Sequence, residues 1–307
     1  MILVTGAAGL VGHPVANRLV NAGRSVLATD VRAPDRPLDC PFVQADLRDA
    51  PAIMALFEDH AVTEVVHAGA ISGSMVAPND PLRVMSVNIT GTLLIAEASR
   101  LAKVRRMVGL SSIGVYGNQA GTAPVPETAP RTATDVYSCS KIAMESVLYA
   151  YARNFGLRAV VLRMSSVFGP GRRTPCFIRS LLEAADEGRE VTASADREHR
   201  RQFLYVDDAV EAVCLALMGR ELPEFVYNIT GGTWLTEGEV VAAASRAVPR
   251  LTAKTGDVPP LALDGRMGPL DISLATRDLG YAPRTGLEEG IIKYAAWRQR
   301  QSKRGNQ

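Results

Sequence analysis

Tyr137 and Lys141 stand four residues apart in DVYSCSK, at the start of a helical pattern, so both side chains project from one face. An ammonium beside a phenol favours the phenolate and lowers its pKa from about 10, which lets a tyrosine act as a base near neutrality. A solvated helix face also carries such pairs, but lysine is scarce here, with 5 Lys against 29 Arg. Upstream, the strand pattern RMVGLSS ends on Ser111 and Ser112, just before GVYG. A hydroxyl beyond the carboxyl end of a strand in an open α/β sheet can donate to a substrate oxygen, although serine there also serves as a cap or turn residue.

A third group opens the chain. The strand pattern ILVT runs directly into Gly6, Gly9 and Gly12, spaced GxxGxxG, with Leu10 and Val11 completing the turn before a helix. Without side chains, such a turn lets backbone N–H groups and a helix N-terminus approach a pyrophosphate; it is equally a turn that packs closely on its own strand. Asp30 ends the second strand pattern 24 residues after Gly6, where a carboxylate can hold adenosine ribose hydroxyls and repel a 2′-phosphate. That favours NAD over NADP, with Arg32 as the residue that could accommodate the phosphate instead. Asp46, in ADLRD at the end of the third strand, is a further candidate for the same pocket or an N-cap for the next helix.

These residues need elements to position them. Short β-branched runs alternate with 3.6-period stretches through the first half, which reads as βαβ units around a parallel sheet. The pattern predicts strands at 2–5, 26–30, 42–46, 64–67, 106–111 and 158–163, with helices near 10–22, 49–59, 82–102 and 137–154. Pro14 falls in the first helical turn, where its missing N–H costs little. The stretch 117–135 is rich in Gly, Pro and Thr and reads as a long loop. Beyond 165 the pattern loosens, with helices near 176–188 and 207–219 and a strand at 227–230. The expected organisation is a cofactor-binding unit over 1–165, a smaller substrate lobe over 166–298 interleaved with it, and a polar, basic tail over 299–307.

Composition narrows the partners. The 307 residues carry 34 basic and 32 acidic side chains, a net charge of +2, which offers no electrostatic footprint for nucleic acid. With 47% hydrophobic and 21% charged residues the chain has material for a buried core. No apolar run approaches a membrane span, and MILVTGAAGLVG lacks the basic start of a secretion signal. The four scattered cysteines and four histidines suit neither a disulfide framework nor a metal site. The expectation is a cytoplasmic protein with a small-molecule partner, no metal, no nucleic acid and no membrane.

TGAAGLVG, Asp30, ADLRD, HAGA (67–70), VNITGT (87–92), SSIGVYG (111–117), YSCSK, LRMSSVFGPG (162–171), RQFLYVDD (201–208) and DISLATRDLGYAP (271–283) occur in this order. Together they resemble the extended short-chain dehydrogenase/reductase family, in its NAD-dependent epimerase/dehydratase branch, over almost the whole chain. The resemblance implies an α/β fold: a Rossmann-type doubly wound parallel sheet with a smaller C-terminal α/β lobe closing over a sugar-like substrate. It implies Tyr137 as acid/base, Lys141 as the residue that lowers its pKa and holds the nicotinamide ribose, and Ser112 as the group that orients the reacting oxygen. Asp46 and Leu47 would contact adenine, His67, Ala68, Gly69 and Ala70 would line the cofactor, and Asn88 would support the active-site end. Ser72, Ser74, Ser112, Tyr137, Ser166 and Arg201 would meet substrate. Helices 82–102 and 137–154 match those that pair family members into homodimers.

The departures bear on substrate. Nucleotide-sugar enzymes of the branch usually read Tyr-Phe-Asn where this chain has Met164, Ser165 and Ser166. They also carry an arginine about ten residues before the Asp-x-Ser of the C-terminal pattern, whereas Gly265-Arg266-Met267 lies closer to Asp271 and Ser273. Arg201 matches the family's other phosphate-binding arginine. No carboxylate follows Ser112 where dehydratases show Asp-Glu. The first expectation is therefore an NAD-dependent dehydrogenase acting at a secondary alcohol of a free sugar or sugar acid. The alternative is a UDP- or dTDP-hexose 4-epimerase, and a remote one is a non-catalytic NAD-sensing or nucleic-acid-associated protein.

Overall fold

A computed structural model describes residues 1–73, 76–219, 221–260 and 266–305. The first half supplies strands β1 (Ile2–Thr5), β2 (Val26–Asp30), β3 (Phe42–Gln44), β4 (Glu64–His67), β5 (Arg106–Ser112) and β6 (Ala159–Met164). Between them run helices α1 (Gly12–Asn21), α2 (Ala50–His60), α3 (Pro81–Met85), α4 (Gly91–Leu101) and α5 (Val136–Phe155). The second half contributes β7 (Ser166–Phe168), α6 (Phe177–Glu187), β8 (Val191–Ser194), β9 (Arg200–Arg201), β10 (Phe203–Tyr205) and α7 (Val206–Met218). It ends with β11 (Val226–Ile229), β12 (Leu235–Thr236), α8 (Glu237–Ala247), β13 (Ala253–Gly256), α9 (Ser273–Leu279) and α10 (Leu287–Gly305).

Seven strands form one parallel sheet in the order β11-β6-β5-β4-β1-β2-β3. Alternation along each strand divides the apolar residues between two faces. Ile2, Val4, Val66, Val108 and Val160 join the cluster that includes α1 and α7, while Leu3, Val65, Met107 and Val161 join the one that includes α2, α4 and α5. Helices on both faces of a parallel sheet make the doubly wound α/β fold expected from the sequence. Strand order reverses at β1, so the crevice for a ligand opens where β1 and β4 end, beyond Thr5 and His67. β11 completes this sheet from the second half of the chain, and the short pairs β7–β10, β9–β12 and β8–β13 lie outside it.

Local chemistry sets where the helices begin. Asp135 caps α5 by accepting from the Ser138 N–H at 3.0 Å, which fixes Tyr137 in the first turn. Asp49, not Asp46, caps α2. The helix expected over 82–102 is α3 and α4 joined by a π-helical turn at Ser86–Thr90. Gly109 lets α5 lie close on β5: a Cβ there would stand 2.7 Å from Leu148 Cδ1. Leu148 is fully buried, and its truncation to alanine would cost about 2–5 kcal/mol. α10 carries helix through Gly305, into the segment expected as a tail. Among the described residues no helix is long and apolar enough to cross a membrane.

Candidate active site

The crevice is a cavity of about 1210 Å³ running from the glycine turn to the second-half strands. Gly6, with φ +69°, turns the chain at the end of β1, and a Cβ on it would meet the Ala68 carbonyl carbon at 2.6 Å. A Cβ on Gly12 would stand 2.3 Å from the Gly6 oxygen, so the turn closes on itself only without side chains. Gly6, Gly9, Leu10, Val11 and Gly12 line the cavity at the start of α1, where helix N–H groups favour an anion. The Asp30 carboxylate lines it too, accepting from the Ala8 N–H at 3.0 Å and the Arg32 N–H at 3.4 Å. Asp46 and Leu47 face the same end; Asp46 accepts three hydrogen bonds from the Arg48 guanidinium, at 2.6, 3.0 and 3.2 Å. Ala68, Gly69 and Ala70 form the opposite wall.

Two sequence candidates lie beneath that wall and are not among the described residues lining the cavity. His67 is buried within the sheet, its Nδ1 2.9 Å from Thr5 Oγ1 and its Nε2 3.0 Å from Thr92 Oγ1. Thr92 donates to the Asn88 carbonyl and Thr5 Oγ1 accepts from the Gly69 N–H, so the chain closes with Nε2 as donor and Nδ1 as acceptor. Burial, aided by the Lys141 charge, pulls the His67 pKa down to about 3 and keeps it neutral. Asn88, in the π turn, grips the Ile71 backbone through both its amide atoms and donates to Ser140 Oγ at 2.8 Å. Both residues shape the wall instead of presenting atoms to a ligand.

Tyr137, Ser112 and Ser72 converge at the middle of the cavity, where both serine hydroxyls favour the ionised form of the phenol. Ser112 Oγ also accepts from the Gly114 N–H at 3.1 Å. Lys141 donates to the Leu110 carbonyl at 2.8 Å, and its Nζ stands 6.0 Å from the centre of the Tyr137 ring. The sequence predicts a lowered phenol pKa. In this protein burial pushes the Tyr137 phenol up, with the Ser112 and Ser72 hydroxyls and the Arg172 charge pulling the other way. Burial also lowers Lys141 to about 8, against the pull of the Glu145 charge. Ser111, the neighbour of Ser112 on β5, donates to Glu145 Oε1 at 2.6 Å.

At the far end Ser166, His199, Arg201 and Arg266 face the cavity. Arg201 is buried between the Phe177 and Phe203 rings, 5.1 and 5.5 Å from its guanidinium carbon, and stands 3.6 Å from Glu237 Oε1. Arg266 pairs with Asp196 at 2.8 Å and Glu198 at 3.0 Å. Ser74 lies outside the described residues. Sequence reasoning passed over His199, and also Glu145 and its partner Arg163. The signal for Glu145 was its place four residues after Lys141 and eight after Tyr137, on the same helix face.

The geometry fits a dinucleotide: a glycine cradle that Cβ atoms would fill, a carboxylate at the end of β2, and a phenol and ammonium further along one cavity. Residues 2–230 match the model of the NAD dependent epimerase/dehydratase family. The UDP-glucose 4-epimerase of Mycolicibacterium smegmatis is 30% identical over 305 residues, covering 95% of this chain and 96% of the relative. The dTDP-glucose 4,6-dehydratase of Streptomyces antibioticus is 31% identical over 320 residues, covering 96% and 91%. The solved UDP-glucose 4-epimerase of Thermotoga maritima with UDP-glucose superposes with a TM-score of 0.89 at 28% identity, covering 98% of this chain and 99% of that one. The chain belongs to the NAD dependent epimerase/dehydratase family of extended short-chain dehydrogenases/reductases, and its cofactor is NAD.

Proposed function

We propose that this enzyme is a nucleotide-sugar 4-epimerase, the alternative of the sequence reading, in preference to a dehydrogenase of free sugars or sugar acids. The observation that carries it is Arg201: a buried cation on the cavity wall, clasped by two aromatic rings, suits a diphosphate that an uncharged free sugar does not have. The relatives named above, which act on UDP- and dTDP-sugars over nearly the same length, support it. Dehydration is disfavoured because Ile113 follows Ser112, and the carboxylates among the described lining residues are Asp30, Asp46 and Asp135. Asp30 and Asp46 stand at the glycine-turn end, and Asp135 is engaged in capping α5.

In this reading Ser112 Oγ orients the sugar hydroxyl and Tyr137 Oη takes its proton. Bound NAD supplies the reversible two-electron acceptor for the carbon that bears that hydroxyl. The Lys141 ammonium, 6.0 Å from the Tyr137 ring centre, would join the Arg172 charge in favouring the phenolate against the burial that raises its pKa. Tyr137 then returns the proton to the oxygen after the keto sugar has turned over in the cavity. Arg201 holds the diphosphate while the sugar turns, which keeps the intermediate from escaping. The exposed apolar residues Leu93 and Leu101 on α4 and Tyr149 and Phe155 on α5 support pairing of two copies across these helices.

Arg266 favours the dehydrogenase as the second reading, since both arms of its guanidinium are engaged by Asp196 and Glu198. Inhibition by UDP and dTDP separates the two. The epimerase reading expects competitive inhibition at micromolar concentration, lost in Arg201→Ala, and NAD that stays with the protein through purification. No inhibition at millimolar concentration, with reduction of added NAD on aldoses or uronates, would establish the dehydrogenase.

A further inference from the structure

The face of α5 that carries Tyr137 and Lys141 continues to Glu145, one turn further on. Glu145 is 1% exposed. Its Oε1 accepts from Ser111 Oγ at 2.6 Å and Arg163 Nε at 2.9 Å, and its Oε2 from Arg163 Nη2 at 2.7 Å. Arg131, in the loop before α5, approaches Oε2 at 3.3 Å. Arg163, on β6, directs its remaining donor to Tyr116 Oη at 2.9 Å and the Glu127 carbonyl at 2.8 Å. The charged groups facing Glu145 are thus Arg163 from β6, Arg131 from the loop and Lys141 from its own helix, with the Ser111 hydroxyl from β5.

A buried ion pair needs good geometry to offset its desolvation, and well-packed apolar side chains would fill the same space at least as stably. The reason for this pair lies in what Ser111 adjoins. On one side is Leu110, whose carbonyl accepts from Lys141; on the other is Ser112, which lines the cavity together with Tyr137. The Ser111–Glu145 hydrogen bond therefore ties the helix that carries the phenol and ammonium to the strand residues that hold them. The carboxylate is also the anionic group that opposes loss of the Lys141 proton.

We infer that Glu145 is a positioning residue for the reaction: through Ser111 it locks α5 to the end of β5, and it is the buried counter-charge to the Lys141 ammonium. The inference rests on the roles proposed above for Tyr137 and Lys141. It is tested in the NAD-loaded protein labelled with ¹³C at lysine Cε, where five lysines give five signals and Lys141→Arg identifies one. In Glu145→Gln the Lys141 titration should move about one pH unit lower. The alkaline limb of kcat should follow it, with substrate KM unchanged. Glu145→Asp should return the titration towards wild type. An unmoved Lys141 titration in folded Glu145→Gln overturns the inference.

Should Glu145→Gln fail to fold, Ser111→Ala decides, since it removes only the tie to β5. A fall in kcat of about fivefold or more at unchanged KM supports the inference, and wild-type kcat overturns it. The lysine titration needs no sugar. If no nucleotide sugar is turned over, the proposed function fails while the titration still decides the role of Glu145.

Discussion

The two ends of the cavity are built by different physics. At the glycine turn the surface is backbone: Gly6, Gly9 and Gly12 coil so tightly that a Cβ on any of them would meet main-chain atoms within 3 Å. Its anionic anchor at the end of β2, Asp30, is itself oriented by the Ala8 N–H. At the far end the surface carries side-chain cations, and Arg201 and Arg266 both have acidic neighbours: Glu237 for Arg201, and Asp196 and Glu198 for Arg266. The first end is fixed by shape and suits any chemistry that uses the same cofactor. The second is fixed by charge, and under the proposed function it is the end that selects the substrate.

Tyr137 stands between the two ends, and its loss should be the largest effect. Tyr137→Phe should lower turnover by about 10²–10⁴-fold with NAD affinity within a few-fold of wild type, because only the ionisable oxygen is removed. Calorimetric NAD titration beside steady-state kinetics checks both, and substantial residual turnover would remove Tyr137 from the acid/base role. Next comes the shape-fixed end. Gly12→Ala sets a Cβ 2.3 Å from the Gly6 oxygen, so the turn must open. NAD affinity should fall about tenfold to hundredfold while UDP binding is unaltered. Equal weakening of both ligands would mean the two ends are one unit.

The charge-fixed end is probed by Arg201→Ala, which should raise the nucleotide-sugar KM by about tenfold or more at unchanged NAD affinity. A KM that stays put would sever Arg201 from the substrate. The pH dependence should follow Lys141. Burial lowers its pKa to about 8, so the ammonium is present below that pH and lost above it, and kcat should decline as pH rises through 8. A profile flat well beyond that point would show that the ammonium is not needed. The smallest effect belongs to Asp30→Ala, which should narrow the preference for NAD over NADP by a few-fold, mainly by weakening NAD. Comparative titrations would show whether Arg32, which also lines the cavity, compensates.

The same contrast explains what could be read in the sequence. The sheet was legible because Ile2, Leu3 and Val4 belong to strands buried on both faces, which appear as short unbroken apolar runs. The glycine turn was legible because its requirement is local, the absence of side chains at fixed spacing. Tyr137 and Lys141 were legible because a helix turns four residues of spacing into one face. By contrast, β7 to β10, β12 and β13 are two to four residues long, and their partners lie far along the chain. Neither the Glu237 beside Arg201 nor the acids on Arg266 can be paired from spacing alone. His67 shows the converse: a histidine inside a motif reads as a ligand contact until the hydroxyls of Thr5 and Thr92 are found on either side of it.

Epimerase and dehydrogenase part when the NAD-loaded enzyme is mixed with UDP- and dTDP-hexoses and the sugar is followed by NMR together with the nicotinamide absorbance. A 4-epimerase should interconvert the two C4 epimers of at least one nucleotide sugar with no net accumulation of reduced cofactor, and should not do so as Tyr137→Phe. Stoichiometric, lasting reduction of NAD on free sugars or sugar acids, with every nucleotide sugar left unchanged, would contradict the epimerase reading.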